Sequence, residues 1–308
     1  MSSLDKDWSD QFKFYTNELH LNEVFGALWK QKILIILVTS LFALGSVIYS
    51  LSLTNIYKSE VLLSVDNASG NNSMNTFGGM AATLGIIGPN NDNKSLIAIK
   101  TIQSRSFLKH LLTFDNILPS LMAAKSYDVQ SNKILFDPKI YNKNNKEWVG
   151  SEPSYLETYP VYLNHVVISK DKSNLLTISV EHISPFFAKE FLELIINEAN
   201  ELLRNKDLRE ATDAIEFLQS EIPKASLISM KDALNELVLS QLEVQMMAKI
   251  SSEYVLKVIE PAYVPEDKIR PNRAKISILG TTLGGMLIIL LVLLHHYVLR
   301  NMEFASKF

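Results

Sequence analysis

Residues 258–286 read VIEPAYVPEDKIRPNRAKISILGTTLGGM: a short β-branched run, then Pro261, Pro265 and Pro271 among charges, then an apolar stretch marked by Gly280, Gly284 and Gly285. Each proline fixes its own φ and biases the residue before it toward extended backbone. The prolines therefore make a stiff strut between a folded part and an apolar helix. That helix spans residues 276–299, 24 residues whose only ionisable side chains are His295, His296 and Tyr297. A second run, ILIILVTSLFALGSVIYSLSL at 33–53, has 21 residues and no charge. Each run can cross roughly 30 Å of hydrocarbon at about 1.5 Å per residue. The first run could instead be a signal peptide, and either could be a buried core helix. However, 32 residues precede the first, DKD among them, with no small-residue cleavage site, and the chain has two such runs. The expectation is a two-span membrane protein.

Of the 308 residues 47% are hydrophobic, and the excess is concentrated in these two runs. Lys30 and Lys32 adjoin the first, while Arg300 and Lys307 follow the second. Lys268, Arg270, Arg273 and Lys275 crowd the other side, but long loops translocate largely regardless of charge. The predicted organisation is a cytoplasmic segment 1–32, a transmembrane helix 33–53, an outer domain 54–275, a transmembrane helix 276–299 and a cytoplasmic tail 300–308. With nine residues in that tail, no kinase or signalling module is expected there. With no cysteine, the outer domain needs a real hydrophobic core. A net charge of −3 argues neither for nor against nucleic acid, but there is no basic stripe with interleaved aromatics, and no nucleic-acid partner is expected.

Within the outer domain, YKSEVLLSV (57–65) alternates, with Tyr57, Val61, Leu63 and Val65 on one face, and predicts a strand leaving the membrane. Residues 67–93, rich in Asn and Gly, predict a loop with a short helix inside. Ser95 is placed to cap a helix through SLIAIKTIQSRSFLKHLL that ends near Pro119. Residues 161–169 and 175–182, joined by KDKSN, predict a β-hairpin. Ser184 and Pro185 then form an N-cap and first-turn proline for a long helix. Its apolar stripe runs Leu192, Ile195, Ala199, Leu202, and resumes at Ala211, Ile215, Leu218, Ile222. After Pro223, residues 230–252 are helical again, with Leu234, Val238, Gln241 and Val244 or Gln245 on a mixed face. The two helices form either a hairpin or one kinked helix. YVLKVI (254–259) is a strand that brings the chain back to the first one.

Chemistry is sparse. TFGGMAATLGIIG has the glycines of a phosphate loop but no following GK[ST] and no strand leading into it, so it reads as a loop. His295 and His296 point about 100° apart on a helix and have no third ligand nearby, which argues against a metal site. Glu266 with Asp267, or acids of the long helix, could pair as glycosidase carboxylates; on polar helices such acids are normally solvated. There is no GxSxG and no cysteine nucleophile. No cofactor, metal or catalytic residue is predicted. Gly280 and Gly284 form a GxxxG, which lets helix backbones approach closely in lipid, although isolated glycines are also common in spans.

The layout, together with LNEVFGALWKQK before the first span, QSRSFLKHLL, RNKDLREATDAIEFLQSEI and VIEPAYVPEDKIRPNR before a Gly-bearing second span, resembles the Wzz-type chain-length determinants, or polysaccharide co-polymerases. The resemblance implies an α+β periplasmic domain, with a mixed-sheet base and a long helical-hairpin extension, flanked by two transmembrane helices. It further implies an inner-membrane location, a ring-shaped homo-oligomer beside a polysaccharide polymerase and its lipid-linked polysaccharide, and regulation of O-antigen or lipopolysaccharide chain length without catalysis. Gly280, Gly284 and Gly285 are then helix-packing residues, and Pro261, Pro265 and Pro271 the periplasmic strut. The second span has fewer glycines than that family often shows. Alternatives are a capsule or exopolysaccharide export co-polymerase working with a separate tyrosine kinase, a membrane-anchored polysaccharide hydrolase, and a ligand sensor.

Overall fold

The computed structural model describes residues 26, 28–65, 91–173, 175–251 and 253–305. The predicted loop at 67–93 therefore lies largely outside the described residues. Thr54–Arg270 forms one compact unit, and the two long apolar helices belong to the other. The first of these, α1 (Lys32–Ser52), carries no acid in its first turn and no base in its last. Its Ile33, Leu37, Leu41 and Leu44 are exposed, which suits lipid better than water.

Strand β1 (Ile56–Val65) follows, and its alternation is the one read from sequence: Ser59, Val61 and Leu63 are buried. Next come α2 (Asn91–Ile102) and α3 (Arg105–Leu111), separated where Ser104 Oγ accepts the Phe107 N–H at 3.1 Å. The cap expected at Ser95 is thus at Ser104, and Ser95 is buried inside a helix already under way. Helix α4 (Ile117–Met122) contains Pro119 instead of stopping before it. Proline is tolerated there because first-turn N–H groups have no intrahelical acceptor to lose.

Four short strands, β2 (Ala124–Asp128), β3 (Lys133–Phe136), β4 (Tyr141–Asn142) and β5 (Glu147–Trp148), pair as two small hairpins. Helix α5 (Tyr155–His165) then occupies residues 161–165, predicted as strand. Two local effects override the β-rich composition. Ser154 and Glu157 make a reciprocal capping box. In addition, the hydroxyls of Tyr159 and Tyr162 donate to the carbonyls of Gln103 and Ile102, at 2.7 and 2.8 Å, groups left open where α2 ends.

The hairpin is accordingly shorter at its start: β6 (Val166–Lys170) and β7 (Leu176–His182). Ser184 Oγ accepts the Phe187 N–H at 3.2 Å and starts α6 (Pro185–Glu221), as its Ser-Pro signal predicts. A 3₁₀ turn, Ile222–Lys224, leads to α7 (Ile228–Ile250), which packs back on α6. The pair is therefore a hairpin and not one kinked helix. Strands β8 (Leu256–Glu260) and β9 (Lys268–Arg270) precede the second apolar helix, α8 (Arg273–Ala305).

The main sheet runs β6-β7-β1-β8, with β9 also on β1, and every pairing is antiparallel. A mixed sheet was expected, and the position of β1 explains the difference. β7 and β8 run the same way, and the long α6–α7 excursion between them would permit parallel pairing, but β1 lies between them. One face of the sheet, through Val61, Leu63, Leu176, Ile178 and Val180, packs on Phe187, Phe191, Leu192, Ile195 and Ala199 of α6. The stripe then continues through Leu203; Leu202, expected in it, is 40% exposed. Farther on, Ala211 is buried, and Ile215 and Leu218 are half-buried.

Asn200 fixes the base of the hairpin. Its Oδ1 accepts the N–H groups of Val255 and Leu256 at 3.0 and 2.8 Å, and its Nδ2 donates to the Leu256 carbonyl at 2.9 Å. One and two turns on, Arg204 donates to the Ser251 carbonyl at 2.8 Å, and Asp207 accepts the Tyr254 hydroxyl at 2.7 Å. A single helix face therefore docks the chain as it leaves α7. Asn200→Leu strands two amides and a carbonyl in a buried place, a cost on the order of 3 kcal/mol. The expected result is a lower unfolding midpoint for the detergent-solubilised chain, with Val255 and Leu256 amides exchanging ahead of β1; unchanged exchange there would exclude the clamp.

His182 gives the fold a pH dependence. Its Nε2 donates to the Ser120 carbonyl at 3.0 Å while Nδ1 accepts the Ser184 N–H at 3.1 Å, an arrangement that requires the neutral ring. Burial pushes its pKa down to about 4, and burial lowers that of neighbouring His165 as well. Between the unfolded value near about 6.5 and the folded one, only the unfolded chain takes up the proton, so stability falls as pH falls. The loss approaches an order of 3 kcal/mol by pH about 4. Melting curves from pH 7 to 5 should show a steep decline that is shallower in His182→Gln, with both proteins folded at pH 8.

Candidate functional site: two apolar helices packed through glycine

Helices α1 and α8 are both long and apolar enough to cross a membrane, over Lys32–Ser52 and Arg273–His295. They run antiparallel: moving forward along α8, Gly280 meets Ser46, Gly284 meets Phe42 and Gly285 meets Thr39. A Cβ at Gly280 would lie 2.5 Å from Ser46 Cβ, and one at Gly284 2.4 Å from Phe42 Cβ, distances that atoms cannot share. At Gly285 the nearest atoms, on Thr39, are 3.8 Å away, an ordinary contact. Ser46 Oγ lies 2.9 Å from the Ala43 carbonyl and 3.4 Å from that of Ser277 on the facing helix. The hydroxyls of Ser277, Thr281 and Thr282 bond carbonyls of their own helix, leaving none of these needing water. In lipid, where apolar surface alone does not drive helices together, close backbone approach of this kind supplies the dispersion contacts.

The proline segment is more closely held than a free strut. Its two flanking strands, β8 and β9, both pair with β1, and between them Ser59 Oγ donates to the Tyr263 carbonyl at 2.7 Å. Pro261 is exposed and Pro265 buried; without N–H groups they interrupt the ladder between β8 and β9. Arg270 at the end of β9 forms an ion pair with Glu181 of β7. Only Pro271, half-buried, and Asn272 separate β9 from α8.

Glu266 and Asp267 are exposed in this segment, and His295 is exposed on α8, while the His296 side chain is outside the description. Among the described residues no group of three His, Cys, Asp or Glu side chains is placed to hold a metal. A His–carboxylate pair that periodicity does not reveal joins His110 to Glu198 at 2.6 Å.

Since the chain has no cysteine, Thr39→Cys with Gly285→Cys tests the helix pair directly. Oxidation should give a disulfide within one chain, seen as a shifted monomer band on a non-reducing gel. Adding Gly284→Leu should reduce its yield several-fold. Exclusive formation of dimers would show that the glycines face another molecule.

Comparison with known proteins supplies the remaining information. Residues 17–113 match the family model described as chain length determinant protein, Wzz. A 92-residue stretch is 36% identical to the tyrosine-protein kinase etk of Escherichia coli K12, and equally to that of strain O157:H7; it covers 30% of this chain and 12% of either kinase. The chain thus spans about an eighth of the length of these curated relatives. Among solved structures, a full-length bacterial polysaccharide co-polymerase is similar over 90% of this chain and 97% of its own, at 13% identity and a TM-score of 0.40. A fragment of WzzB, a polysaccharide co-polymerase from Salmonella Typhimurium, is similar over 70% and 100%, at 12% identity and a TM-score of 0.31. The part of the chain that is similar to the Wzz chain length determinants, residues 17–113, thus contains α1, β1, α2 and α3.

Proposed function

We propose that this protein regulates the length of a surface polysaccharide, O-antigen or a related lipopolysaccharide chain, as a non-enzymatic oligomeric scaffold beside the polymerase. The observation that carries this reading is the Wzz match at residues 17–113, because it includes α1 and the central strand β1. In this reading α1 and α8 span the bacterial inner membrane, residues 54–275 lie in the periplasm, and both ends lie in the cytoplasm. The antiparallel packing of α1 on α8 supports ends on a common side, and Lys30, Lys32 and Arg300 favour the cytoplasmic one.

The mechanism is geometric. Three residues lie between α1 and β1 and two between β9 and α8, so the pairing of Ile56 with Arg270 ties together the chain segments that adjoin the two spans in sequence. The glycine contacts tie the spans themselves. A body held in this way keeps its shape while a polymerase and its lipid-linked product work against it, and length control then depends on shape and copy number. The identity with part of a tyrosine kinase favours a second reading, an export co-polymerase that acts with a separate tyrosine kinase.

The test is complementation of a deletion strain, read as the polysaccharide ladder on a gel with protein levels matched by blot. Gly280→Leu with Gly284→Leu, and Pro265→Gly, should shift or broaden the modal length while polymer is still made. Alanine at Glu266, Asp267 or His295 should leave the ladder unchanged. Loss of the modal band from an acidic-residue variant alone would replace the scaffold with a hydrolase. A ladder unchanged by deletion, with export lost instead, would favour the second reading.

A further inference from the structure

Four cations, Lys268, Arg270, Arg273 and Lys275, stand within eight residues where the chain enters α8. Two of them are badly placed by local rules. Arg273 and Lys275 open a helix whose first turn has no acid, the end at which the peptide dipoles disfavour positive charge. In the proposed topology they also lie on the side of the span that is normally poor in lysine and arginine. Residues 24–53 and 271–302 contain no acid, so α1 brings no carboxylate to them. Of the other two, Arg270 is paired with Glu181. Lys268 donates to the amide oxygen of Asn55 at 3.3 Å, a neutral partner that leaves its charge in place.

Helix length sets the depth of this cluster. The 24 residues from 276 to 299 extend about 36 Å, roughly 6 Å more than the hydrocarbon. Lys275, next to Ile276, and Arg273, about 3 Å farther out, therefore fall in the headgroup layer, where the phosphates of a bilayer are. The helix pair sets direction. Gly280 and Gly284 face α1, and Lys275 lies on the opposite side of α8, in line with Leu279, Met286 and Leu290. These three are 63%, 70% and 57% exposed, and Lys275 is exposed as well. From Leu279 to Leu290 the stripe advances eleven residues, about 16 Å, the depth of one leaflet of hydrocarbon.

We propose that Lys275 binds the phosphate of an anionic lipid whose chain lies along Leu279, Met286 and Leu290, and that Arg273 and Lys268 draw such lipids to this end of α8. This rests on the reading of α8 as a membrane span and names the lipid chemistry at its end. A lysine suits the position: its stem packs on apolar surface while the ammonium offers three donors to phosphate oxygens. Clusters of Lys and Arg beside a span attract anionic lipid in the same way. The lipid anion repays both local costs, since it neutralises the cations that the helix dipole and the topology disfavour. Two lipids present this chemistry, a phospholipid with an anionic headgroup and the phosphorylated carrier of a lipid-linked polysaccharide.

The test titrates the detergent-solubilised full-length chain with phosphatidylglycerol, with phosphatidylcholine of the same acyl chains, or with a polyisoprenyl phosphate, and reads bound lipid by native mass spectrometry. Phosphatidylglycerol should be retained well above phosphatidylcholine. Lys275→Gln should cut that preference about fivefold, and Lys275→Arg should keep it. Lys206→Gln with Lys249→Gln removes more charge elsewhere and should leave it unchanged; melting midpoints in the same detergent show that every variant is folded. Displacement of phosphatidylglycerol by an equal amount of polyisoprenyl phosphate supports the contact and assigns it to the carrier lipid, while persistence supports it and assigns it to phospholipid. Equal retention of the two phospholipids, or a preference that Lys275→Gln leaves intact, overturns the proposal. The readings beneath it fail by other measurements. In the naturally cysteine-free chain, Lys275→Cys should react with an impermeant maleimide in spheroplasts, and labelling only after lysis defeats the topology without touching lipid retention. A polysaccharide ladder unchanged by deletion defeats length control alone.

Discussion

The structure depends most on the hydrogen bonding of β1 along both edges. On one side it pairs with β7 from Tyr57↔His182 to Leu63↔Leu176; on the other it holds β9 at its start and β8 at its end. A strand so placed cannot slip by one residue without turning Ser59, Val61 and Leu63 away from the α6 core. Its register therefore sets where the proline segment runs and which residues of α6 are buried. It also determines how the chain that follows α1 is joined to the chain that precedes α8.

Around that strand, polar side chains fasten segments that are distant in sequence. Asn200, Arg204 and Asp207 secure the exit from α7, and His182 joins the end of β7 to α4 and to the start of α6. None of these groups belongs to a cluster of metal-ligating side chains among the described residues. Their chemistry is that of buried polar groups satisfied by backbone partners, which specify one arrangement and penalise others. In the apolar helix pair the same specificity comes from shape: glycine at 280 and 284 removes the atoms that would collide with Ser46 and Phe42.

The long helix shows how much of this organisation was legible beforehand. Ser184 and Pro185 announce its start, and spacings of three and four bring out Leu192, Ile195 and Ala199. Beyond Ala199 a step of three leads to Leu202 and a step of four to Leu203, and the structure buries Leu203, the one nearly in line with Leu192 and Ile196 along the helix. The face of α7 that meets α6 was readable through Leu234, Val238 and Gln241 even though it is mixed.

Local chemistry by itself determined the two apolar helices, the alternation of β1, the Ser-Pro start of α6 and the break at Pro223. These rest on charge, period and proline geometry, properties of neighbouring residues. Tertiary structure alone decided that residues 161–165 are helical, where Tyr159 and Tyr162 reach the open carbonyls of α2. It likewise decided that the sheet is wholly antiparallel, because β1 separates β7 from β8. It decided, too, that the glycines of α8 meet α1 of the same chain. In each case the deciding partner is distant in sequence, and a pairing across such a distance leaves no periodicity in the residues on either side.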